Sequence, residues 1–367
     1  MKRIVASAIA AAALCAASSC GSGAGRWDDV DTVALAGTVI VEDELLRSPL
    51  GITASDDNIF VWNSGKSDTL IDMFDLGGHR IRSFLTKGNG ENRMPYIEFA
   101  RYSQLDSALI VGSSAFNGKL MNVTGLSGSA PQLVTRFSFS ERIVGSPSDT
   151  VVPSSLVMQL ENGAIVTANL TPGGMLALYS PQGRFRRFVQ PYPDKSLLGD
   201  SVPDYALPNF FVMIGGTSPD GKHFATSSKL GDILAFGTAT ADSVDIVTYT
   251  GKPQKGINVV QSPDNYCRVE YNDSLEYFYP FGLALSNSHV YAVTGGIAAT
   301  FNTGVASMKA GGGAPVYINV YDYEGNPVRV LRVPLGMCRI AVTPDDSRLF
   351  AFVESDDNGY QIISFDL

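Results

Sequence analysis

The sequence contains the stretch Thr217-Ser218-Pro219-Asp220-Gly221-Lys222-His223-Phe224-Ala225, which reads as a strand end, a tight turn and a new strand. Pro219 presets φ for the turn, Asp220 can bond its own backbone two residues on, and Gly221 accepts positive φ. Similar turns occur near Ser55, Leu105, Glu161, Ser286 and Pro344. The chain therefore carries six copies of one strand-turn-strand pattern.

The spacing of these copies indicates the architecture. Successive turns lie about 50 to 67 residues apart, which suits a four-stranded propeller blade with long connections. A second turn follows at a nearly fixed offset in the first four copies, and later in the fifth, where it indicates an insertion: Gly77-Gly78, Thr124-Gly125, Gln182-Gly183, Thr240-Ala241 and Glu324-Gly325. The sequence thus predicts an all-β fold, a six-bladed β-propeller.

The blades are predicted at residues 47–87, 97–139, 153–190, 208–251, 277–334 and 335–367. The last span holds only three strands, and residues 32–41 are free to supply a fourth. We expect this N-terminal segment to pair with the C-terminal blade, because closure removes an exposed sheet edge.

The first twenty residues have the features of an export signal. Lys2 and Arg3 precede a short apolar run, and small residues stand before Cys20. Those small residues resemble the bacterial lipoprotein cleavage box, which implies lipidation of Cys20; an ordinary secretory signal is the alternative. The predicted organisation is a signal peptide at 1–20, a flexible tether at 21–30 and a single propeller domain at 31–367.

The charge excludes some partners. The chain has 36 acidic and 27 basic residues, with a formal net charge of −9. An acidic protein without a basic stripe is repelled by phosphate backbones and anionic lipid heads. We expect a monomer that binds no nucleic acid and touches the membrane only through its lipid anchor.

Long polar loops lead into the first strands of the blades and should share one rim. Aromatic, arginine and carboxylate side chains there suit recognition of protein loops or sugars. The predicted ligand- or partner-binding rim comprises Arg93, Tyr96, Asp200, Tyr205, Arg268, Glu270, Tyr271 and Tyr277. For any one of them, solvation in a polar loop is the alternative.

No catalytic motif is apparent, and no catalytic residue, cofactor or metal ligand is assigned. We expect the histidines His79, His223 and His289 to be solvated turn residues, and acidic pairs such as Asp56-Asp57 and Asp345-Asp346 to bond local amides. A Ca²⁺ ion held by oxygens from several blades in the channel stays open.

Cys267 and Cys338 lead into neighbouring predicted blades on the same rim. Because the signal implies an oxidising compartment, a disulfide between them is geometrically plausible and would hold the longest loop. Two free buried thiols are the alternative.

The resemblance to a known family rests on Cys20 after its signal, on residues 52–61 and 72–84, and on Lys87-Gly88-Asn89-Gly90-Glu91. The last segment is similar to a Gly-x-Gly-Pro-Gly-Glu signature without its proline. On these residues the chain resembles the TolB-like six-bladed propeller lipoproteins of Gram-negative bacteria. The resemblance implies an envelope location and a binding role.

We therefore expect an outer-membrane lipoprotein, periplasmic or surface-exposed, that acts as a noncatalytic binding module for an envelope protein or glycan. The alternative is a cation-dependent hydrolase or lyase of the sugar-lactonase or quinoprotein type, with its site at the channel mouth. A third hypothesis is a purely structural envelope protein. Carboxylate or amide oxygens that converge at the start of the first strands, together with a higher thermal midpoint in Ca²⁺, would distinguish the enzyme from the binding module.

Overall fold

The computed structural model describes residues 27, 30–42, 46, 49–64, 67–128, 130–139, 151–193, 203–211, 213–228, 233–241, 243–250, 257–261, 267–271, 282–294, 316–333, 339–354 and 359–367. Across these residues the strands form six blade sheets and one separate hairpin. The predicted all-β, six-bladed propeller is confirmed.

The chain begins with two short strands, β1 (Thr32–Ala34) and β2 (Thr38–Val41), and then builds the blades in order. Blade one contains β3 (Pro49–Ala54), β4 (Asn58–Asn63), β5 (Thr69–Asp75), β6 (Arg80–Lys87) and the short parallel β7 (Arg93–Met94). Blade two contains β8 (Phe99–Ser103), β9 (Ala108–Gly112), β10 (Lys119–Thr124) and β11 (Gln132–Ser138). Blade three contains β12 (Pro153–Gln159), β13 (Ile165–Asn169), β14 (Leu176–Tyr179) and β15 (Phe185–Gln190).

Blade four contains β16 (Met213–Thr217), β17 (His223–Ser228), β18 (Ile233–Ala239) and β19 (Val244–Thr250). Blade five contains β22 (Leu283–Leu285), β23 (Val290–Thr294), β24 (Val316–Tyr321) and β25 (Pro327–Val333). Blade six contains β26 (Arg339–Val342), β27 (Arg348–Glu354) and β28 (Tyr360–Asp366). Every described blade strand falls within the span predicted for its blade, apart from the added β1, β2 and β7.

Two connections fold in ways that the sequence pattern did not predict. The long loop before blade five contains an antiparallel hairpin of β20 (Ile257–Gln261) and β21 (Cys267–Tyr271). The loop before blade four contains the one-turn helix α1 (Leu207–Phe210). Within the described residues, no helix has both the length and the apolar character needed to cross a bilayer.

The ring closes through the N-terminal strands. β2 pairs antiparallel with β28, with Val39 opposite Ile363, so the predicted closure is confirmed. β1 instead pairs in parallel with β25, with Thr32 opposite Val330, and becomes the fifth strand of blade five. The expectation that all of residues 32–41 joins blade six is therefore wrong. Two outer sheet edges are available, those of β25 and β28, and the segment covers the first with β1 and the second with β2.

The core lies between neighbouring blades. Phe60 and Trp62 of blade one pack with Leu109 and Val111 of blade two in one buried cluster. Each blade is covered on both sides, which explains why its inner and middle strands read as nearly continuous apolar runs. Burying a large apolar side chain in this way contributes about 1.5–3 kcal/mol.

Removing residues 1–41, and with them β1 and β2, should destabilise the last two blades together. The deletion uncovers the outer edges of β25 and β28, so amide hydrogen exchange should accelerate in blades five and six and the thermal midpoint should fall. Deleting residues 1–26 alone should leave both measurements unchanged. Faster exchange in only one of the two blades would contradict this account of closure.

Candidate functional site

The propeller has two unlike faces. We call the side formed by the loops into the inner strands and by the second-to-third strand returns the loop face, and the opposite side the turn face. Tyr96, in the loop before blade two, has its hydroxyl 2.6 Å from that of Ser114, in a second-to-third strand return. Ser155 donates to Glu98 at 3.0 Å between the starts of neighbouring inner strands. The two kinds of loop therefore share one face, as a propeller requires.

The structure places three of the predicted rim residues on the loop face with their side chains described. Arg93 is exposed on β7, and Tyr96 is partly buried three residues later. Tyr205 is 46% exposed in the turn before α1. It precedes blade four, whereas Arg93 and Tyr96 precede blade two. The rim is thus dispersed over several blades.

The hairpin before blade five carries three further predicted rim residues, Arg268, Glu270 and Tyr271, on β21. Cys267 is the first residue of the same strand. The remaining predicted positions, Asp200, Tyr277, Cys20 and Cys338, and the insertion at 295–315, lie outside the described residues. The disulfide, the lipidation and the complete rim stay predictions.

A repeated cap shapes the turn face. The inner strand ends at or just before a buried serine or threonine in five blades: Ser55, Ser103, Ser218, Ser286 and Thr343. Each hydroxyl accepts a hydrogen bond from a backbone N–H of its own turn, for example Ser286 from His289 at 2.8 Å. In blade three the Asn162 side chain accepts from Ala164 instead, at 2.8 Å. These bonds satisfy turn amides that would otherwise be orphaned near the channel.

Polar contacts join the turns of different blades at this end of the channel. Gln104 of blade two donates to both carboxylate oxygens of Asp56 of blade one, at 3.1 and 3.0 Å. Asn287 of blade five donates to Gln104 at 3.0 Å and accepts from the Asp220 amide of blade four at 3.0 Å. The backbone N–H of Gln104 also donates to the Pro219 carbonyl at 2.7 Å. We call these five residues the turn belt.

The expected local roles of two aspartates are wrong, because the turns meet across blades. Asp56 bonds Gln104 in the turn belt. Asp346 of blade six contacts the preceding blade: its carboxylate lies 3.0 Å from His289 Nδ1 and accepts from Tyr291 at 2.7 Å. Asp345, by contrast, bonds the local Ser347 amide at 3.0 Å as expected.

Only one histidine behaves as a solvated turn residue. His79 is exposed and contacts Asp75 of its own turn at 2.9 Å. His223 is partly buried and stacks on Tyr323 of the next blade, with ring centroids 4.2 Å apart. His289 is partly buried against Asp346. The expectation of solvation is therefore wrong for His223 and His289, whose partners come from a neighbouring blade.

The Asp346 carboxylate is held in its charged form. Burial acts to raise its pKa, but hydrogen bonds from His289, Ser286 and Tyr291 outweigh that effect and leave the pKa below its ordinary value. Burial also raises the pKa of the Tyr291 hydroxyl, which therefore stays a donor to Asp346.

Arg101 crosses the channel itself, and sequence reasoning missed it. From blade two its Nη2 donates to the Leu283 carbonyl of blade five at 3.1 Å, and its Nη1 donates to the Ala100 carbonyl at 3.1 Å. Its stem lies against Gly216 of blade four, where a Cβ atom would stand 3.1 Å from Arg101 Cγ. Burial, and then the charge of Arg339, lower the pKa of Arg101 to about 10. The guanidinium remains a cation at neutral pH.

The cavity beside Arg101 is small. Inner-strand residues of blades one, two, four, five and six line it, and its volume is about 20 Å³, room for one or two water molecules. Among the described residues, no group of three or more histidine, cysteine, aspartate or glutamate side chains is arranged to hold a metal ion.

Comparison with known proteins shows the fold alone. No protein-family profile matches the chain, and no curated sequence matches it. A DUF4221 family member from Bacteroides vulgatus is similar with a TM-score of 0.53 and 10% identity, over 91% of this chain and 96% of that one. A protein of Bacteroides fragilis named as exported is similar with a TM-score of 0.50 and 11% identity, over 90% and 94%.

Asp346→Asn should lower the free energy of unfolding at neutral pH and make it depend less on pH in the acid range. A carboxylate whose folded pKa is depressed stabilises above its unfolded pKa, and that stability is lost as pH falls through the folded pKa. Wild-type stability should therefore drop below about pH 4, whereas the variant starts about 1–2 kcal/mol lower at pH 7 and loses less on acidification. Asparagine tolerates the φ of 61° at this position.

Urea unfolding between pH 3 and pH 7 measures this difference. Asp366→Asn is the matched control, since that carboxylate is 95% exposed. This variant should show the same dependence of unfolding free energy on pH as the wild type. Parallel curves for wild type and Asp346→Asn would contradict the assigned role.

Proposed function

We propose that this protein is an exported, lipid-anchored propeller of the cell envelope that binds a protein or glycan through its loop face, without catalysis. The observation that carries the proposal is the contrast between the two faces. The turn face has short turns joined across blades by the turn belt, whereas the loop face carries longer connections with exposed Arg93 and Tyr205. Such unequal loops on a rigid scaffold are typical of binding surfaces.

Export is supported by the sequence and by a structural neighbour. The basic residues, apolar run and small residues before Cys20 have the order of a lipoprotein signal, as in the TolB-like lipoproteins that the chain resembles. The similar Bacteroides fragilis protein is itself named as exported. On this proposal the mature chain begins at a lipidated Cys20 in the outer membrane.

The position of Trp27 supports the choice of face. Its ring packs edge-on against Tyr321, with centroids 5.0 Å apart, and Tyr321 ends β24 beside the turn to the last strand of blade five. That turn belongs to the turn face. Seven residue steps from Cys20 to Trp27 span at most about 25 Å, so a lipid at Cys20 keeps the turn face near the membrane. The loop face then points away from the bilayer, toward a partner.

The charge of Arg101 favours binding over the cation-dependent alternative. A divalent cation in the channel would meet the guanidinium and the like charge of Arg339. The cavity of about 20 Å³ is also far smaller than the pockets of about 300–1,000 Å³ that hold small-molecule substrates. As far as the described residues line it, the channel suits a packed scaffold better than an active site.

Cys20→Ala should abolish lipidation. In cells fed an alkyne-tagged palmitate, the wild-type protein should carry the label and sediment with membranes, whereas the variant should do neither, because its thiol is missing. Cys15→Ala is the matched control and should behave as wild type. Unchanged labelling of Cys20→Ala would contradict the anchor.

Photocrosslinking should locate the binding face. With a photoreactive phenylalanine analogue at Tyr96 or Tyr205, the protein should give a discrete adduct in intact cells after irradiation. The same analogue at Leu105, which is 47% exposed on the turn face, should give none. Protease or periodate sensitivity of the adduct separates a protein partner from a glycan. Adducts from Leu105 alone, or from none of the three positions, would contradict binding through the loop face.

A further inference from the structure

One position of the inner strands breaks an otherwise uncharged ring. Each inner strand ends at or just before an equivalent position, which is Ser55, Ser103, Leu160, Ser218, Ser286 or Thr343 in blades one to six. Two residues before that position, the six blades carry Thr53, Arg101, Met158, Gly216, Ala284 and Ala341. Arg101 is the one charged side chain in this set, and it is long where four of the others are small. Gly216 leaves room for its stem. The ring therefore accommodates a single cation that reaches across the channel.

The hydrogen bonds of Arg101 leave much of its capacity unused. A guanidinium offers five N–H donors. The described residues accept two of these bonds, at the Leu283 and Ala100 carbonyls. The Nε–H is buried and has no acceptor among the described residues. A buried donor without an acceptor costs free energy, so an additional acceptor in the channel would be favourable.

The charge is also uncompensated within the described part of the chain. No carboxylate there forms an ion pair with Arg101, and the neighbouring charge that acts on it is the like charge of Arg339. A largely buried cation without a counter-charge is costly. Burial first, and then the charge of Arg339, lower the pKa of Arg101.

The cavity next to Arg101 limits the size of a counter-ion. Its volume of about 20 Å³ has room for one or two waters, or for one monatomic ion. The lining strands β3, β8, β22 and β26 are innermost in their sheets, so their inner backbone edges have no neighbouring strand. Such edges offer N–H donors to an anion.

We propose that the propeller channel is a binding site for one small monovalent anion of halide size, held by Arg101. The anion neutralises the guanidinium and accepts hydrogen bonds that the described residues leave unmade. It joins blades that the side chain of Arg101 already bridges, and thus stabilises the folded ring. The site is independent of any partner on the loop face.

Thermal unfolding in different sodium salts tests the site. At constant ionic strength, replacing sodium gluconate by sodium chloride or bromide should raise the wild-type midpoint saturably, by about 2–4 °C, because gluconate is too large for the cavity. Arg101→Met, which keeps the length of the side chain without its charge, should lose this response. Arg348→Met, at a side chain that is 42% exposed, should retain it. Equal midpoints in gluconate and chloride would overturn the proposal.

A crystal of the wild-type protein soaked in sodium bromide gives a second test that does not need a folded variant. Anomalous scattering should show a bromide within hydrogen-bond distance of the Arg101 guanidinium. Bromide found only at surface lysines and arginines would mean an adventitious ion only, and would also overturn the proposal.

Discussion

The pairing of β2 with β28 is the contact on which the propeller depends. Six twisted sheets around an axis can exclude water from every interblade core only if the last sheet is complete and meets the first. The C-terminal segment of the chain supplies three strands of blade six, and the register of Val39 against Ile363 adds the fourth from the opposite end. β1 extends the same segment onto blade five, so the closing segment ties two neighbouring sheets together.

Closure leaves one backbone edge of each inner strand facing the channel without a neighbouring strand. Backbone N–H and C=O groups near the channel need other hydrogen-bond partners, and these differ along its length. On the turn face, serine and threonine hydroxyls bond the turn amides, and the turn belt links turns from opposite sides of the ring. In the middle, Arg101 bonds a carbonyl of the opposing blade. The loop face carries none of these repeated devices in its described part, so its loops can vary without disturbing the ring.

The sequence predicted what local chemistry decides. Turns such as Pro219-Asp220-Gly221 fix their own conformation, so counting them located all six blades and the need for a closing strand. The partner of β1, the hairpin of β20 and β21, and α1 escaped prediction because they depend on which edges and surfaces the folded ring offers. Rim residues could be placed on a face, but whether Tyr96 and Tyr205 act together depends on loops that no local rule describes.

The polar contacts between blades were missed for a related reason. His289 and Asp346 lie in turns of different repeats, and nothing local to either turn shows that the two side chains meet. Arg101 was detectable: aligning the six repeats at their inner-strand ends sets it apart from residues such as Gly216 and Ala284. That alignment required reading the repeats against one another, rather than reading each as a turn.

Closure by strands from opposite ends also determines when folding can finish. A ribosome or an export channel delivers β2 before any blade strand and β28 after all the other described strands, so the outermost strand of blade six has no partner until every blade has been delivered. Contacts so distant along the chain form slowly, and until they form, the edges of blades five and six remain open to wrong pairing. A nascent chain that stops short of β28 therefore cannot complete its ring, however well its earlier blades have formed.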